Sequence, residues 1–223
     1  VRFTDCVAQA TWTKVSGPSI FTSLYPTTHG VRNIPDRLPA SATTLTEVFR
    51  DAGWATQGFG SVGFMGKMTN LHQGFEEFQE GLSIPTRETS SKTARVEVDR
   101  LLPWLDAHRD VPFFVLLHVV DPHSPFRPEP PYDTLWADAA HREEHERQNK
   151  AVRPFIANPN LRRFGMPARE ELVKAGIDPA AYIAYEKDWY DGSIRGMDAE
   201  IGRVFERLRQ LGLDRRTLVV FTA

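Results

Sequence analysis

The sequence Pro112-Phe-Phe-Val-Leu-Leu-His-Val-Val120 is a nearly continuous apolar run that contains aromatic and β-branched residues. Such a run between two helical patterns is typical of a central strand that helices cover on both faces. It ends at Asp121-Pro-His123, and ligands gather at the carboxyl ends of strands in open α/β sheets. His123 is therefore a candidate functional residue. His118, inside the run, is either a hydrogen-bonded core histidine or a substrate contact.

Strand and helix patterns alternate on both sides of this run. Strand patterns cover Phe3–Ala10, Trp54–Gly60 and Thr217–Thr222, and helical patterns cover Ala40–Gly53, Ser91–His108 and Tyr182–Leu211. The polar and aromatic segment Leu71–Gly81 is predicted to form turns. The alternation predicts a three-layer α/β/α fold with a mostly parallel central sheet.

A hydroxyl-rich segment near the start of the chain is the candidate catalytic centre. It reads Ala10-Thr-Trp-Thr-Lys-Val-Ser-Gly-Pro-Ser-Ile-Phe-Thr-Ser-Leu-Tyr-Pro26. Ser16 is predicted to open a helix, which places Thr13 just ahead of the helix N-terminus. Unpaired N–H groups and the positive end of the helix dipole suit that position to phosphate or sulfate. Lys14 is a candidate second contact for the anion.

The segment from Thr13 to Pro26, followed by His29-Gly30-Val31, resembles the nucleophile segment of the sulfatase family in the alkaline phosphatase superfamily. Sulfatases proper read Cys-x-Pro-Ser-Arg-x-x-Leu-Leu-Thr-Gly there, and the Cys is oxidised to formylglycine. In this chain the Cys position holds Thr13 and the Arg position holds Gly17. Threonine cannot become formylglycine, so the resemblance favours phosphodiesterase, phosphonate ester hydrolase or phosphoryl transferase chemistry over sulfate ester hydrolysis.

The resemblance implies a metal-dependent hydrolase or transferase that forms a covalent ester on Thr13. A divalent metal (Ca, Mg, Mn or Zn) would coordinate the Thr13 oxygen, with Lys14, Ser16 and His118 as substrate contacts. Asp121-Pro-His123 resembles the family's Asp-Pro-His segment, whose His contacts the transferred group or the leaving group. In the family, the metal-binding aspartates and histidine lie before and after this region. The chain is therefore expected to be an internal fragment, inactive alone.

Composition sets limits on the class of protein. The 223 residues carry a formal charge of −2, without a long basic run, so nucleic acid is not an expected partner. A small-molecule, glycan or lipid ester is the expected substrate. No apolar run is long enough to cross a membrane. The single cysteine, Cys6, excludes an intrachain disulfide, leaves the cellular location open and is expected to be buried.

The chain is predicted to be one incomplete catalytic domain over residues 1–223, with residues 127–180 as a charged excursion or cap. Within the excursion, His141-Arg-Glu-Glu-His145 formally matches a zinc peptidase signature, although its polar neighbours favour a solvated surface helix. Gly58-Phe-Gly-Ser-Val-Gly63 formally matches a dinucleotide-binding motif, but no convincing helix follows it. A catalytically inactive binding module is the other alternative.

Overall fold

A computed structural model describes residues 1–80 and 93–222, which form a mixed α/β structure. Its described strands are β1 (Ala55–Gly60), β2 (Glu77–Glu80) and β3 (Phe113–His118). They form a parallel sheet in the order β2-β1-β3. Gly60 pairs with Glu80 and with His118, so the carboxyl ends of all three strands meet at one edge.

Eight α-helices lie within the described residues. They are α1 (Thr13–Thr22), α2 (Pro26–His29), α3 (Leu45–Asp51), α4 (Thr93–Ala107), α5 (Ala139–Val152), α6 (Pro159–Phe164), α7 (Arg169–Lys174) and α8 (Pro179–Gln210). The first residues of α3 show how the local sequence determines where a helix begins. Thr44 and Glu47 form a reciprocal capping box that satisfies two N–H groups of the first turn.

Alternate residues of β3 face two different hydrophobic clusters. Phe113, Val115 and Leu117 pack with a cluster formed by Phe59, Leu101, Leu105, Leu208 and Leu213. Phe114 and Leu116 pack with a cluster on the other side, formed by Phe21, Val31, Leu38, Met65 and Leu71. Because successive strand residues point to opposite faces, the sheet is covered on both sides. The predicted strand with both faces covered and the three-layer α/β fold are confirmed, although β3 stands at the end of the order β2-β1-β3 among the described strands.

Of the segment predicted to form turns, Leu71–Gly81, residues 71–74 do form turns, whereas Glu77–Glu80 form β2 and Gly81 lies outside the described residues. A packing contact explains the strand. Added side chains at Gly58 and Gly60 would meet the Phe78 ring at 2.3 and 2.9 Å, so the ring occupies the space above the two glycines. The glycines of the formal dinucleotide motif therefore allow this close packing within the sheet.

Two predicted strands are wrong. Phe3–Ala10 and Thr217–Thr222 form no strand, and Phe3, Leu218 and Phe221 are 78%, 88% and 73% exposed. An apolar segment is stable as a strand only where a neighbouring strand takes its N–H and C=O groups. No strand of the described residues pairs with either segment. Cys6, expected to be buried, is exposed for the same reason.

The chain divides into two compact units. The first comprises Val1–Leu82, Val96–Val119 and Val204–Ala223, and its described part contains the sheet. The second comprises Ser83–Arg95 and Val120–Arg203, and it includes α5, α6 and α7. The excursion predicted at residues 127–180 falls within the second unit. Within residues 1–80 and 93–222, the structure has no helix that is both long and apolar enough to span a membrane.

Candidate active site

Thr13 is the first residue of α1 and is partly exposed. Trp12 occupies the N-cap position and makes no side-chain capping bond. The backbone N–H groups of Thr13 and Lys14 have no acceptor among the residues that the structure describes. A hydroxyl thus lies at a helix N-terminus that offers open N–H groups, an arrangement that attracts anions.

Ser16 does not open the helix as predicted. The N–H groups of Val15 and Ser16 both donate to the Trp12 carbonyl, at 3.2 and 3.1 Å, because α1 has already begun. The Ser16 hydroxyl also donates to this carbonyl, at 3.1 Å. The donors that remain open in the first turn are therefore those of Thr13 and Lys14.

The Lys14 side chain is fully buried. Its ammonium donates to the Met68 carbonyl at 3.3 Å and to the Thr69 hydroxyl at 3.2 Å, and it lies 5.6 Å from the centroid of the Phe64 ring. Burial lowers the pKa of Lys14, and the negative charge of Asp36 opposes that effect. These contacts connect the start of α1 to the turn after β1.

Gly17, at the position where the resemblance predicts an arginine, packs closely against two core side chains. A side chain at Gly17 would begin 2.9 Å from both Leu71 and Met65. Any residue larger than glycine must displace these core side chains, so an arginine does not fit here without rearrangement.

The turn after β1 also carries an exposed cation, Lys67, which the sequence argument did not single out. It lies next to Met68, whose carbonyl holds the Lys14 ammonium, and its own backbone N–H donates to the Glu80 carboxylate. The sequence feature that could have identified Lys67 is its position in the loop at the carboxyl end of a sheet strand.

A buried serine–histidine pair supports α1 and α2. The ring of His29 is 3.1 Å from the Ser19 hydroxyl through Nε2, and its Nδ1 accepts from the Val31 N–H at 3.1 Å. Nε2–H is therefore the donor to Ser19. Burial lowers the pKa of His29, so the ring stays neutral, and the pair joins the two helices.

His118 is the last residue of β3. Its carbonyl accepts from both the N–H and the hydroxyl of Ser61, at 3.1 and 2.7 Å. Its Nδ1 atom is buried and has no partner among the described residues. Burial lowers the pKa of His118 to about 4, so the imidazole is neutral near pH 7.

His123 belongs to the second unit and is exposed. Its N–H donates to the Val120 carbonyl at 2.8 Å, and its Nδ1 lies 2.7 Å from the Ser124 carbonyl. The ring packs edge-on against Phe164, with 5.5 Å between the centroids. Because Nδ1 faces a carbonyl, it carries the proton of the neutral ring, which leaves Nε2 as the acceptor.

The two histidines of the peptidase-like signature have different environments. His145 is fully buried, and its Nε2 lies 2.6 Å from the Glu186 carboxylate and 2.9 Å from the Asn149 amide. His141 is exposed beside Asp138 at 3.3 Å. The predicted solvated helix is therefore wrong on the face of α5 that carries His145, where a packed aromatic environment replaces solvent.

Across residues 1–80 and 93–222, no group of three or more His, Cys, Asp or Glu side chains is arranged to hold a metal ion. Neither the predicted divalent metal nor zinc at His141 and His145 therefore has a ligand set in the described structure. The donor that Thr13 offers is a single hydroxyl oxygen.

Comparisons with known proteins agree on one family. The profile of the sulfatase family matches residues 1–223. An endo-4-O-sulfatase of Bacteroides thetaiotaomicron is 26% identical over 112 residues, which are 50% of this chain and 18% of that protein.

Several solved structures are similar in fold, including the two that follow. A phosphonate monoester hydrolase of Agrobacterium radiobacter superposes with a TM-score of 0.69 at 17% identity, over 96% of this chain and 53% of that one. A protein solved with its substrate D-glucosamine-2-N,6-O-disulfate has a TM-score of 0.61 at 14% identity, over 96% of this chain and 56% of the other. The chain thus spans about half the length of these solved relatives.

Proposed function

The chain belongs to the sulfatase family, and on that premise we propose that it hydrolyses sulfate or phosphate esters through a covalent intermediate on Thr13. The observation that carries the proposal is the position of the Thr13 hydroxyl at the first residue of α1, beside open N–H groups. An attacking oxygen and donors for the anionic group are then adjacent in one turn of backbone.

The relatives support this substrate class. One is named for sulfate ester hydrolysis, one for phosphonate monoester hydrolysis, and one was solved with a sulfated sugar as its substrate. All three act on or bind a tetrahedral anionic group, which is the group that the α1 N-terminus attracts. The hydroxyl and N–H groups of this segment can bind a sulfate group or a phosphate group.

In the proposed reaction, the Thr13 hydroxyl gives its proton to solvent water and its oxygen forms a bond to phosphorus or sulfur. The bond from that atom to the leaving-group oxygen breaks, and this oxygen takes a proton from His123. Water then attacks the phosphorus or sulfur of the threonine ester, the bond to the Thr13 oxygen breaks, Thr13 regains a proton, and the phosphate, phosphate monoester or sulfate is released. The Thr13 and Lys14 N–H groups stabilise the oxygens that gain charge during both steps.

A divalent metal would supply the activation that an aliphatic hydroxyl needs, since its own acidity is too low at neutral pH. The described residues do not form a ligand set for it. We therefore assign no step of the reaction to a metal, and Thr13 as a metal contact remains a prediction.

The other predicted substrate contacts remain predictions, and we assign each residue a role from its surroundings in the fold. Lys14 and Ser16 act by holding α1 in place, because their polar groups are bonded within the fold. Lys67 is the exposed cation of the turn that α1 contacts, and we propose it as the charge that attracts the ester. His118 contributes a neutral imidazole, and His123, after its Nε2 has taken a proton from solvent, protonates the leaving group.

Substitution of Thr13 tests the proposal. Thr13→Ala should lower kcat/KM for the preferred ester by about a thousandfold or more, because it removes the nucleophile. Aryl phosphodiesters, phosphomonoesters and sulfates with added divalent metals are suitable substrates. The matched control is Thr11→Ala, an exposed threonine two residues earlier, which should retain activity.

Mass spectrometry of quenched reactions gives a second measurement. The peptide that contains Thr13 should gain the mass of one phosphoryl or sulfuryl group in the wild type and not in Thr13→Ala. Equal activity of Thr13→Ala and wild type would show that the nucleophile is another residue. An absence of activity towards every ester, in a protein that includes the expected flanking metal-binding segments, would favour the inactive binding module.

A further inference from the structure

The turn that carries His123 is anchored by a side chain that the proposed reaction does not use. The carboxylate of Asp121 accepts from the backbone N–H of Ala94, whose nitrogen lies 3.3 Å from Oδ1 and 3.0 Å from Oδ2. Ala94 is the second residue of α4 and lies 27 residues before Asp121, and both belong to the second unit. A contact between distant parts of the sequence therefore holds the loop of the candidate proton donor.

The bond from Ala94 to Asp121 is costly to lose. The N–H groups in the first turn of a helix have no acceptor within that helix, so an oxygen from elsewhere must satisfy them. A carboxylate there also lies at the positive end of the dipole of α4, which has 15 residues. Because Ala94 exposes none of its surface, removal of the carboxylate would leave a buried donor unpaired.

The start of α4 is itself held in place. Arg95, which follows Ala94, donates from Nε to the Glu200 carboxylate on α8 at 2.8 Å. Glu200 is buried and also accepts from Arg203. An anchor limits the motion of a loop only when the element it binds to is fixed, and these ion pairs join α4 to a helix of 32 residues.

The turn between Asp121 and His123 has a restricted backbone. The His123 N–H closes it by donating to the Val120 carbonyl at 2.8 Å, with Asp121 and Pro122 as the two central residues. Proline fixes its own φ and disfavours the helical conformation of the residue before it. The side chain of Asp121 and the backbone of the turn together leave the Cα atom of His123 little freedom to move.

The contacts of the His123 ring do not by themselves fix its position. The residue is exposed, and its Nδ1 lies 2.7 Å from the carbonyl of Ser124, which is the next residue and moves with it. The edge-on contact with Phe164 is weaker than a charge-assisted hydrogen bond. The position of the ring therefore depends on the turn beneath it.

We propose that Asp121 is a positioning residue for the proton transfer by His123. The proposal rests on the proposed function, which makes His123 the proton donor. The proton passes from Nε2 of His123 to the leaving-group oxygen, whose bond to phosphorus or sulfur breaks, and Asp121 exchanges no proton. Its carboxylate holds the turn on α4, so that Nε2 lies within reach of that oxygen.

The rates of Asp121→Ala with two esters of the same acid test this role in the full protein. Asp121→Ala should lower kcat by about tenfold for an alkyl ester, whose leaving group needs a proton, and by less than about twofold for a nitrophenyl ester. KM should change by less than about twofold for both, because Asp121 does not touch the substrate. Asp121→Asn keeps an oxygen that accepts from Ala94 and should retain at least about a third of the wild-type kcat.

The matched control is Asp138→Ala. Asp138 is also in the second unit and caps α5 by accepting from the His141 N–H at 2.9 Å. Its loss should lower the thermal midpoint, as the loss of Asp121 does, yet keep kcat for both esters within about twofold of the wild type. A loss of rate that reflects reduced stability alone would appear in both variants.

A double-mutant cycle tests whether Asp121 acts through His123. Adding Asp121→Ala to His123→Asn should change kcat for the alkyl ester by less than about twofold, because the donor is already absent. A further tenfold loss would overturn the proposal. Wild-type kcat of Asp121→Ala on the alkyl ester, or an equal loss on both esters, would also overturn it.

Nuclear magnetic resonance of the histidine side chains gives a measurement that needs no turnover. The signal of the His123 ring is the one that disappears in His123→Asn. Asp121→Ala should shift this signal and raise the mobility of the ring, and Asp138→Ala should leave both unchanged. An unchanged ring signal and mobility in Asp121→Ala would overturn the proposal.

Circular dichroism checks that each variant is folded. If Asp121→Ala does not fold, Asp121→Glu replaces it with the same expected outcomes, because it keeps the charge and displaces the acceptor by one methylene group. A selective loss on the alkyl ester in His123→Asn but not in Asp121→Ala contradicts the positioning role alone. Equal losses on both esters in His123→Asn contradict the proposed proton transfer, and the ring signal then decides whether Asp121 positions His123.

Discussion

Charge is handled differently at the start of α1 and on the surface of the second unit. Lys14 exposes none of its surface, and its ammonium is bonded to Met68 and Thr69. Lys150 and Arg163 are exposed and lack a carboxylate partner among the residues described. The buried charge stabilises one arrangement of the backbone, whereas the exposed charges are free to meet a ligand. Substitutions in the first region should therefore affect stability, and those in the second should affect binding or turnover.

Lys14→Ala should have the largest effect on stability. The change leaves a cavity and removes the donor to Met68 and Thr69, so the free energy of unfolding should fall by about 3 kcal/mol. Urea denaturation measures it. Lys14→Met keeps most of the volume and should cost less than Lys14→Ala. Lys67→Ala, at an exposed lysine of the same turn, should stay within about 0.5 kcal/mol of the wild type. A loss as large for Lys67→Ala as for Lys14→Ala would remove the distinction between anchored and free charge.

Acidification should lower stability through His118. Its pKa is 6.5 ordinarily and about 4 in the fold, so between these pH values the unfolded chain binds a proton that the folded chain does not. The free energy of unfolding should therefore fall as pH drops from about 6.5 to about 4, by about 3 kcal/mol in total for this residue. Denaturation midpoints over this pH range measure the effect.

The matched variants for this experiment are His118→Leu and His141→Leu. His118→Leu removes the titrating ring and should flatten the decline of stability with pH. His141 is exposed, so His141→Leu should leave the decline as in the wild type. Identical pH profiles for His118→Leu and the wild type would show that another group causes the decline.

His123→Asn should have the smallest of these effects, and only on turnover. Loss of the proton donor should lower kcat by about tenfold to a hundredfold for an alkyl ester, whose leaving group needs protonation. A nitrophenyl ester, whose leaving group is stable as an anion, should lose much less. Because His123 is exposed, the free energy of unfolding should not change. An equal loss of rate on both esters would contradict the proposed proton transfer.

Elements with strong local signals were predictable from the sequence. The apolar run at residues 112–120 predicted β3, and the periodic segment Tyr182–Leu211 predicted α8. The spacing of apolar residues along the chain is enough to distinguish a strand from a helix in such segments. Thr13 at a helix N-terminus was also predictable, although α1 begins three residues earlier than Ser16. The short strand β2 was missed because its stability depends on Phe78 packing over Gly58 and Gly60.

Within the candidate sites, the residue types were predictable and their environments were not. Lys14 and His145 have neighbours in sequence that predict solvent exposure, yet both are fully buried. Their partners lie far along the chain: Thr69 is 55 residues from Lys14, and Glu186 is 41 residues from His145. Local patterns carry no information about such pairs, because chain folding alone brings them together.

The sequence by itself determined the family, the strands β1 and β3, the helix α8, and the presence of Thr13 and His123 as candidate reactive groups. Only the tertiary structure decided which charges are anchored and which remain available, and that Asp121 bonds to the start of α4. The physical reason is that periodicity and capping are local interactions, whereas burial and ion pairing depend on residues that are distant in sequence.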